Sequence, residues 1–334
     1  MPLGHKESQC AVVGHGSWAT AIVKMLLETD NHVNWYVSNP EIAAHLKQHH
    51  TNPKYLSEVH FGNDRLTVCD DINRAIETSK VIILAVPSAF LKGVADGIAV
   101  SLEDKFVISA IKGIVPDEYL TVAEYINKKY SIPFDRIGII TGPSHAEEIA
   151  LERLSYLTIV CKNEQHAALL GKRFKTHYTK ITASTDIYGA EYSAVLKNIY
   201  AIAVGICHGL GYGDNFLAVL ISNSALETER FLNTTFPFDR NTNYSAYLGD
   251  LLVTCYSQFS RNRTFGMMIG KGYAVSSAKM ELNMIAEGYY SAACIHHINQ
   301  QWNVEMPIVD TVYEILYQGK SPAATIRKIL DKLK

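Results

Sequence analysis

A run of small residues near the start of the chain, Gly14-His15-Gly16-Ser17-Trp18-Ala19, limits what the rest of it can become. It joins an apolar, β-branched stretch (residues 9–13) to a segment whose apolar positions recur with a period near 3.6 (residues 18–27). Gly14 permits a tight turn, Gly16 lets a pyrophosphate come close to the backbone, and the small Ala19 lets the helix pack against the strand. The same helix N-terminus offers backbone N–H groups and a partial positive charge. The spacing alone is a weak signal, and a glycine turn without a ligand is its bland reading. Set between a strand and a helix, it points to a dinucleotide held by Gly14, Gly16, Ser17 and Trp18. His15 reads as a filler at a variable position.

The pattern that follows extends this reading. Further β-branched runs at 32–37, 65–69, 80–86, 105–110 and 136–140 alternate with helical stretches, and a last pair, 155–161 and 176–182, brackets another helix. Such alternation predicts βαβ units and a doubly wound parallel sheet. Near residue 186 the pattern changes, and the remainder reads as helices at 188–208, 215–232, 250–259, 277–299 and 308–317. A last short helix follows Ser321-Pro322, an N-cap and a first-turn proline. The 334 residues suffice for about two domains. The expected division is an α/β domain over 1–186, Rossmann-like and doubly wound, and an all-α domain over 187–334.

Composition excludes several classes. Lys plus Arg is 31 and Asp plus Glu is 33, so the chain has no bulk field for nucleic acid or an anionic membrane. No apolar run approaches the 18 or so residues of a membrane span, and the first ten residues carry no apolar signal-type segment. The six cysteines stand singly, which fits neither a disulfide framework nor a zinc site. His45 and His49 lie i,i+4 but lack a third ligand, so no metal is expected. These features read as a soluble protein of a reducing compartment, the cytoplasm.

The second strand ends Asn34-Trp35-Tyr36-Val37-Ser38-Asn39, without the acid that usually grips the ribose 2′-hydroxyl of NAD. No arginine stands there for the 2′-phosphate of NADP either. NAD and NADP both remain open.

Four further blocks carry chemistry: Ser109-Ala110-Ile111-Lys112-Gly113; Thr141-Gly142-Pro143-Ser144-His145-Ala146; Leu196-Lys197-Asn198 with Ile202-Ala203 after it; and Gly249-Asp250 with Thr254, followed by Ser260-Arg261-Asn262-Arg263. With the glycine loop, their order over about residues 9–330 resembles the NAD(P)-dependent glycerol-3-phosphate dehydrogenases. The resemblance implies reversible reduction of dihydroxyacetone phosphate to sn-glycerol 3-phosphate, supplying glycerophospholipid synthesis, in a homodimer. It also implies that Lys112 touches both substrate and cofactor, while Gly142 and Ser144 serve the substrate. Ala146 would lie against the cofactor, and Ser38 would stand near its adenosine ribose, where family members often carry a basic residue. Arg261 would touch the cofactor as well as the substrate, and Ile285 and Glu287 would close over it.

The chemistry of these side chains agrees with that assignment. Carbonyl reduction needs a proton donor at the oxygen that becomes an alkoxide, and the Lys197 ammonium can supply proton and charge together. An ordinary lysine pKa near 10.4 is too high for the reverse step, but burial and the second cation, Lys112, would lower it. Asp250 could orient Lys197, and Asn198 and Thr254 could bond substrate hydroxyls. Arg261, as a bidentate fork, with Ser260 and Asn262, suits a phosphate. The sequence departs from the family pattern at 245–248, before Gly249-Asp250, and at 223–226. Two rivals stand beside this reading: a dehydrogenase of a 3-hydroxy acid or a ketopantoate-like carboxylate, and a nicotinamide-binding sensor without turnover. The sensor would have no use for the whole polar set.

Overall fold

The computed structural model describes residues 9–29, 32–62, 64–282 and 285–334. The chain divides into two compact units. The first comprises residues 1–111 and 122–187, and the second residues 112–121 and 188–334. A ten-residue excursion that interrupts the α/β half in sequence therefore packs with the helices.

Among the described residues unit 1 is built on eight strands: β1 (Cys10–Val13), β2 (Val33–Tyr36), β3 (Leu66–Cys69), β4 (Val81–Leu84), β5 (Phe106–Ser109), β8 (Ile137–Thr141), β9 (Ser155–Cys161) and β10 (Thr179–Ser184). The short β6 (Ile114–Val115) and β7 (Leu120–Thr121) form an antiparallel pair in the excursion. The sheet order is β10-β9-β8-β5-β4-β1-β2-β3. Strands β1, β4, β5 and β8 are buried along their whole length, as a sheet covered on both faces requires, whereas β3 and β10 at its edges are partly exposed. All pairings are parallel except β8 with β9, which run antiparallel. The carboxyl ends of β1, β2, β4, β5 and β8 therefore share one edge of the sheet, the edge at which doubly wound folds bind ligands.

Helices α1 (Ser17–Glu28), α2 (Pro40–His49), α3 (Ile72–Glu77), α4 (Ser88–Asp96), α5 (Val122–Tyr130), α6 (Ala146–Ala150) and α7 (Glu164–Gly171) complete unit 1. Helix α1 buries Ala19, Ala21, Ile22, Val23, Met25 and Leu26 in a core shared with β1, β2 and β4.

Unit 2 is wound around α8 (Ile187–Gly209), which is buried from residue 189 to 207. A helix buried on every side is central. Around it stand α9 (Asp214–Thr235), α10 (Asp250–Tyr256), α11 (Arg261–Gly270), α12 (Val275–Glu281), α13 (Glu287–Trp302), α14 (Pro307–Tyr317) and α15 (Pro322–Ile329). The helix expected at 250–259 ends at Tyr256, α11 lies outside the stretches expected as helices, and the stretch expected as one helix at 277–299 is divided between α12 and α13. Ser260 starts a new helix as its N-cap, its Oγ accepting from the Arg263 N–H at 3.3 Å. Ala286, in an extended conformation, is the N-cap of α13.

Two pairs of glycines four residues apart set how α8 and α11 cross. A Cβ on Gly205 would lie 2.1 Å from the Arg263 carbonyl oxygen, and one on Gly266 2.1 Å from that of Ile202. Gly209 and Gly270 repeat the arrangement one turn on, at 2.4 Å and 2.3 Å. Backbones this close hold the start of α11 against α8. Of the sequence departures, 245–249 forms a π-helical turn leading into Asp250. Asn223 clamps the backbone of Lys334, donating to its carbonyl at 2.8 Å and accepting from its N–H at 3.0 Å. The Glu227 carboxylate, also on α9, accepts from the N–H groups of Ile308 and Val309 at 3.0 Å each and so caps α14. Among the described residues no helix is long and apolar enough to cross a membrane.

Candidate active site

The glycine loop of unit 1 is a backbone structure. Gly14 has φ +123°, and a Cβ there would lie 2.4 Å from the Ala85 carbonyl oxygen, so only glycine fits. Its N–H donates to Tyr36 O at 3.2 Å, and the Trp35 indole N–H donates to Gly14 O at 2.6 Å. Around Gly16, at the N-cap of α1, a Cβ would meet nothing within 4 Å. Among the described residues, this helix start has no capping side chain and no acid in its first turn. The Trp18 Nε1–H is buried without a hydrogen-bond partner among them. An open backbone cradle at an uncapped helix N-terminus fits a pyrophosphate.

The buried Asn52 holds the loop in shape. Its Nδ2 donates to His15 O and to Thr20 Oγ1, both at 3.0 Å, while its Oδ1 accepts from the N–H groups of Lys54 and Tyr55. Ser38 follows β2, and its Oγ lies 3.3 Å from His15 Nδ1. Neither Asn52 nor the His15 contact was read from the sequence. The only signal for Asn52 is the Asn-Pro pair it forms with Pro53, a common turn former.

Gly142, Ser144 and Ala146 occupy the turn after β8, at the same sheet edge. Gly142 has φ +106°, and a Cβ there would lie 2.7 Å from Tyr156 O. Ser144 Oγ donates to Gly142 O at 3.0 Å, and Ala146 opens α6.

In unit 2 the excursion, α8, α10 and α11 bring a second set together. Lys197 Nζ is 2.5 Å from Asp250 Oδ1, and Lys112 Nζ is 3.3 Å from Asp250 Oδ2. One carboxylate thus serves two ammoniums. Lys197 and Asp250 are buried, at 5% and 1% exposure. Burial is the largest influence on Lys197, and with the repulsion of Lys112 it outweighs the attraction of Asp250 and pushes the amine down to about 7. Burial opposes the Asp250 charge, but the Lys112 and Lys197 ammoniums together overcome it and hold the carboxyl below its ordinary range.

A second chain of contacts surrounds this cluster. Asn198 Nδ2 donates to Lys112 O at 2.8 Å and to Ala194 O at 3.1 Å, which uses both of its hydrogens. Asn198 Oδ1 accepts from Asn262 Nδ2 at 2.9 Å, and Asn262 Oδ1 accepts from the Gly288 N–H at 2.9 Å. Gly288 is required there, because a Cβ would lie 2.5 Å from Asn198 O. The Thr254 hydroxyl donates to Asp250 O at 2.6 Å, leaving its lone pairs as acceptors. Arg261 and Asn262 form the first turn of α11 beside the Ser260 cap. Ile285 and Glu287 lie at the start of α13, with Glu287 in its first turn.

The fold and these sites define a class: a dehydrogenase with a dinucleotide-binding α/β unit and a helical unit carrying a buried lysine–carboxylate pair. Residues 9–167 match the N-terminal domain, and residues 186–327 the C-terminal domain, of NAD-dependent glycerol-3-phosphate dehydrogenase. The chain belongs to that family. It is 33% identical to a glycerol-3-phosphate dehydrogenase [NAD(P)+] of Macrococcus caseolyticus, over 98% of each chain. A protein of the same description from Limosilactobacillus reuteri is 32% identical over 96% of each. The crystal structure of glycerol-3-phosphate dehydrogenase from Coxiella burnetii superposes with a TM-score of 0.90 at 26% identity, covering 98% of this chain and 99% of that one. A ketopantoate reductase from Ralstonia eutropha shares the fold more distantly, with a TM-score of 0.58 at 12% identity over 95% of this chain and 99% of that one.

Proposed function

We propose that this protein catalyses the reversible, NAD(P)-dependent reduction of dihydroxyacetone phosphate to sn-glycerol 3-phosphate, as a homodimer in the cytoplasm that supplies glycerophospholipid synthesis. The observation that carries the reading is the buried Lys197–Asp250–Lys112 cluster within a chain of this family. The bound nicotinamide supplies or accepts a hydride at C2. The chain's own residues handle the proton and the charge. In reduction, Lys197 gives its Nζ proton to the carbonyl oxygen as that oxygen becomes an alkoxide. In oxidation, the neutral amine takes the proton back, and an amine near 7 can do both. Asp250 orients the amine and balances charge, and Lys112 adds a cation for the developing oxyanion.

Arg261, the remaining amide hydrogen of Asn262 and the Ser260 hydroxyl suit the phosphate. Thr254 accepts from a substrate hydroxyl, Gly142 and Ser144 shape the substrate end of their turn, and Asn198 supports Lys112 through its carbonyl. Gly14, Gly16, Ser17, Trp18, Ser38, Lys112, Ala146, Arg261, Ile285 and Glu287 form the cofactor set.

The test is oxidation of NADH or NADPH, followed by absorbance, with dihydroxyacetone phosphate, with dihydroxyacetone, and with ketopantoate. The phosphorylated ketone should react far faster than the free one, in kcat as well as KM, because remote binding energy positions the carbonyl. Equal rates on the two ketones, or a preference for the carboxylate, would overturn the assignment.

A further inference from the structure

The end of β2 decides which dinucleotide a fold of this kind prefers, because the adenosine ribose lies there. In this chain that position offers no acid for a 2′-hydroxyl. Asn34 is turned inward, the two hydrogens of its Nδ2 shared among the side-chain oxygens of Gln9, Thr78 and Ser79 at 2.9–3.0 Å. Asn39 is committed to α2, its Oδ1 accepting from the Ile42 N–H at 3.0 Å. The two acids that follow the neighbouring β3 are also engaged. Asp70 pairs with Lys47 at 3.5 Å, and Asp71 caps α3 by accepting from Asn73 N–H at 2.9 Å.

A cation is tied to the neighbouring glycine loop from elsewhere in the sequence. Asn52 grips the glycine loop at His15 O and, through its Oδ1, the backbone N–H of Lys54 at 3.1 Å. That single buried amide ties the backbone of residue 54 to the glycine loop at His15, whose ring meets Ser38 at 3.3 Å. Lys54 is exposed and makes no ion pair among the described residues. Burial, and after it the Lys54 ammonium, lower the proton affinity of the His15 ring.

We propose that Lys54, carried by the Asn52-anchored loop beside His15 and Ser38, is a specificity-determining residue that receives the 2′-phosphate of NADP(H). Ser38 and the His15 ring supply hydrogen-bonding atoms beside it, and Lys54 supplies the charge. The role that an arginine directly after β2 plays in other dinucleotide folds is taken here by a lysine some sixteen residues further along the chain.

This inference rests on the reading that unit 1 binds a nicotinamide dinucleotide, and the experiment separates the two. Dissociation constants for NADPH and NADH are measured on the full chain by fluorescence titration at fixed ionic strength, for wild type, Lys54→Ala and Lys54→Arg. Adenosine 2′,5′-bisphosphate and ADP are compared by calorimetry as fragments lacking the nicotinamide. Lys54→Ala should raise the NADPH:NADH ratio of dissociation constants about tenfold, the scale of one charge-assisted contact. It should weaken the 2′,5′-bisphosphate relative to ADP by a similar factor, and Lys54→Arg should restore both. A ratio that Lys54→Ala leaves unchanged overturns the inference while the cofactor reading stands. Failure of wild type to bind either dinucleotide overturns the cofactor reading, and the inference with it.

Discussion

The glycine loop and the lysine–carboxylate cluster solve opposite problems with opposite materials. The loop presents N–H groups and empty space, and what matters at Gly14 is the absence of a side chain, with a carbonyl 2.4 Å from where a Cβ would sit. The cluster presents ionised side chains in a buried place, where each charge depends on the others and removing one leaves a partner uncompensated. Diphosphate binding therefore tolerates changes in chemistry and fails on sterics. Proton transfer depends on charge and on a proton that the group can both give and take back.

Substitutions that break one region and spare the other sharpen this contrast. The largest effect belongs to Lys197→Ala, which should lower kcat by a factor on the order of 10² to 10⁴. The NADH dissociation constant should stay near wild type, because the glycine loop is in unit 1. Lys197→Arg should not rescue turnover, since guanidinium keeps its proton and has another shape. Gly14→Ala should act in reverse, weakening dinucleotide binding at least about tenfold through backbone strain while leaving the unit 2 cluster intact. Equilibrium titration with NADH distinguishes the two variants. The smallest effect is Ser38→Asp, which should shift preference toward NADH by a few-fold, because a carboxylate after β2 repels a 2′-phosphate. The ratio of kcat/KM values for the two cofactors reports it.

The same contrast explains what could be read from sequence. The loop is local: a few consecutive residues between a strand and a helix state its geometry, and the apolar runs of β1, β4, β5 and β8 state a sheet buried on both faces. The reversed direction of β9 and β10 is not visible in that way, because reversing a strand leaves its apolar pattern unchanged. The start of α11, which no expected helical stretch covered, is carried by one capping serine, and the β6–β7 pair is too short for any periodicity. The cluster is non-local. Lys112, Lys197 and Asp250 come from three distant parts of the chain, and only the order of whole motifs suggested that they belong together. The glycine pairs at 205/209 and 266/270, which hold α11 on α8, were visible as spacing, but nothing in sequence said that they face each other. Asn198 was expected among substrate contacts, yet both its amide hydrogens go to backbone carbonyls.

The central claim is that Lys197, held low by burial against Asp250, moves the proton. Its most direct test is the pH dependence of kcat/KM for glycerol 3-phosphate oxidation, in wild type, Lys112→Met and Lys197→Ala. Oxidation needs the neutral amine, so the wild-type rate should rise as pH rises through about 7 and then level, while the reduction rate falls through the same range. Lys112→Met removes a repelling cation and raises the Lys197 pKa, so its limb should move to higher pH. Lys197→Ala should lose the limb, apart from whatever the substrate phosphate contributes equally to all three enzymes. A limb near 7 that survives unchanged in Lys197→Ala would contradict the account, because another group would then be carrying the proton.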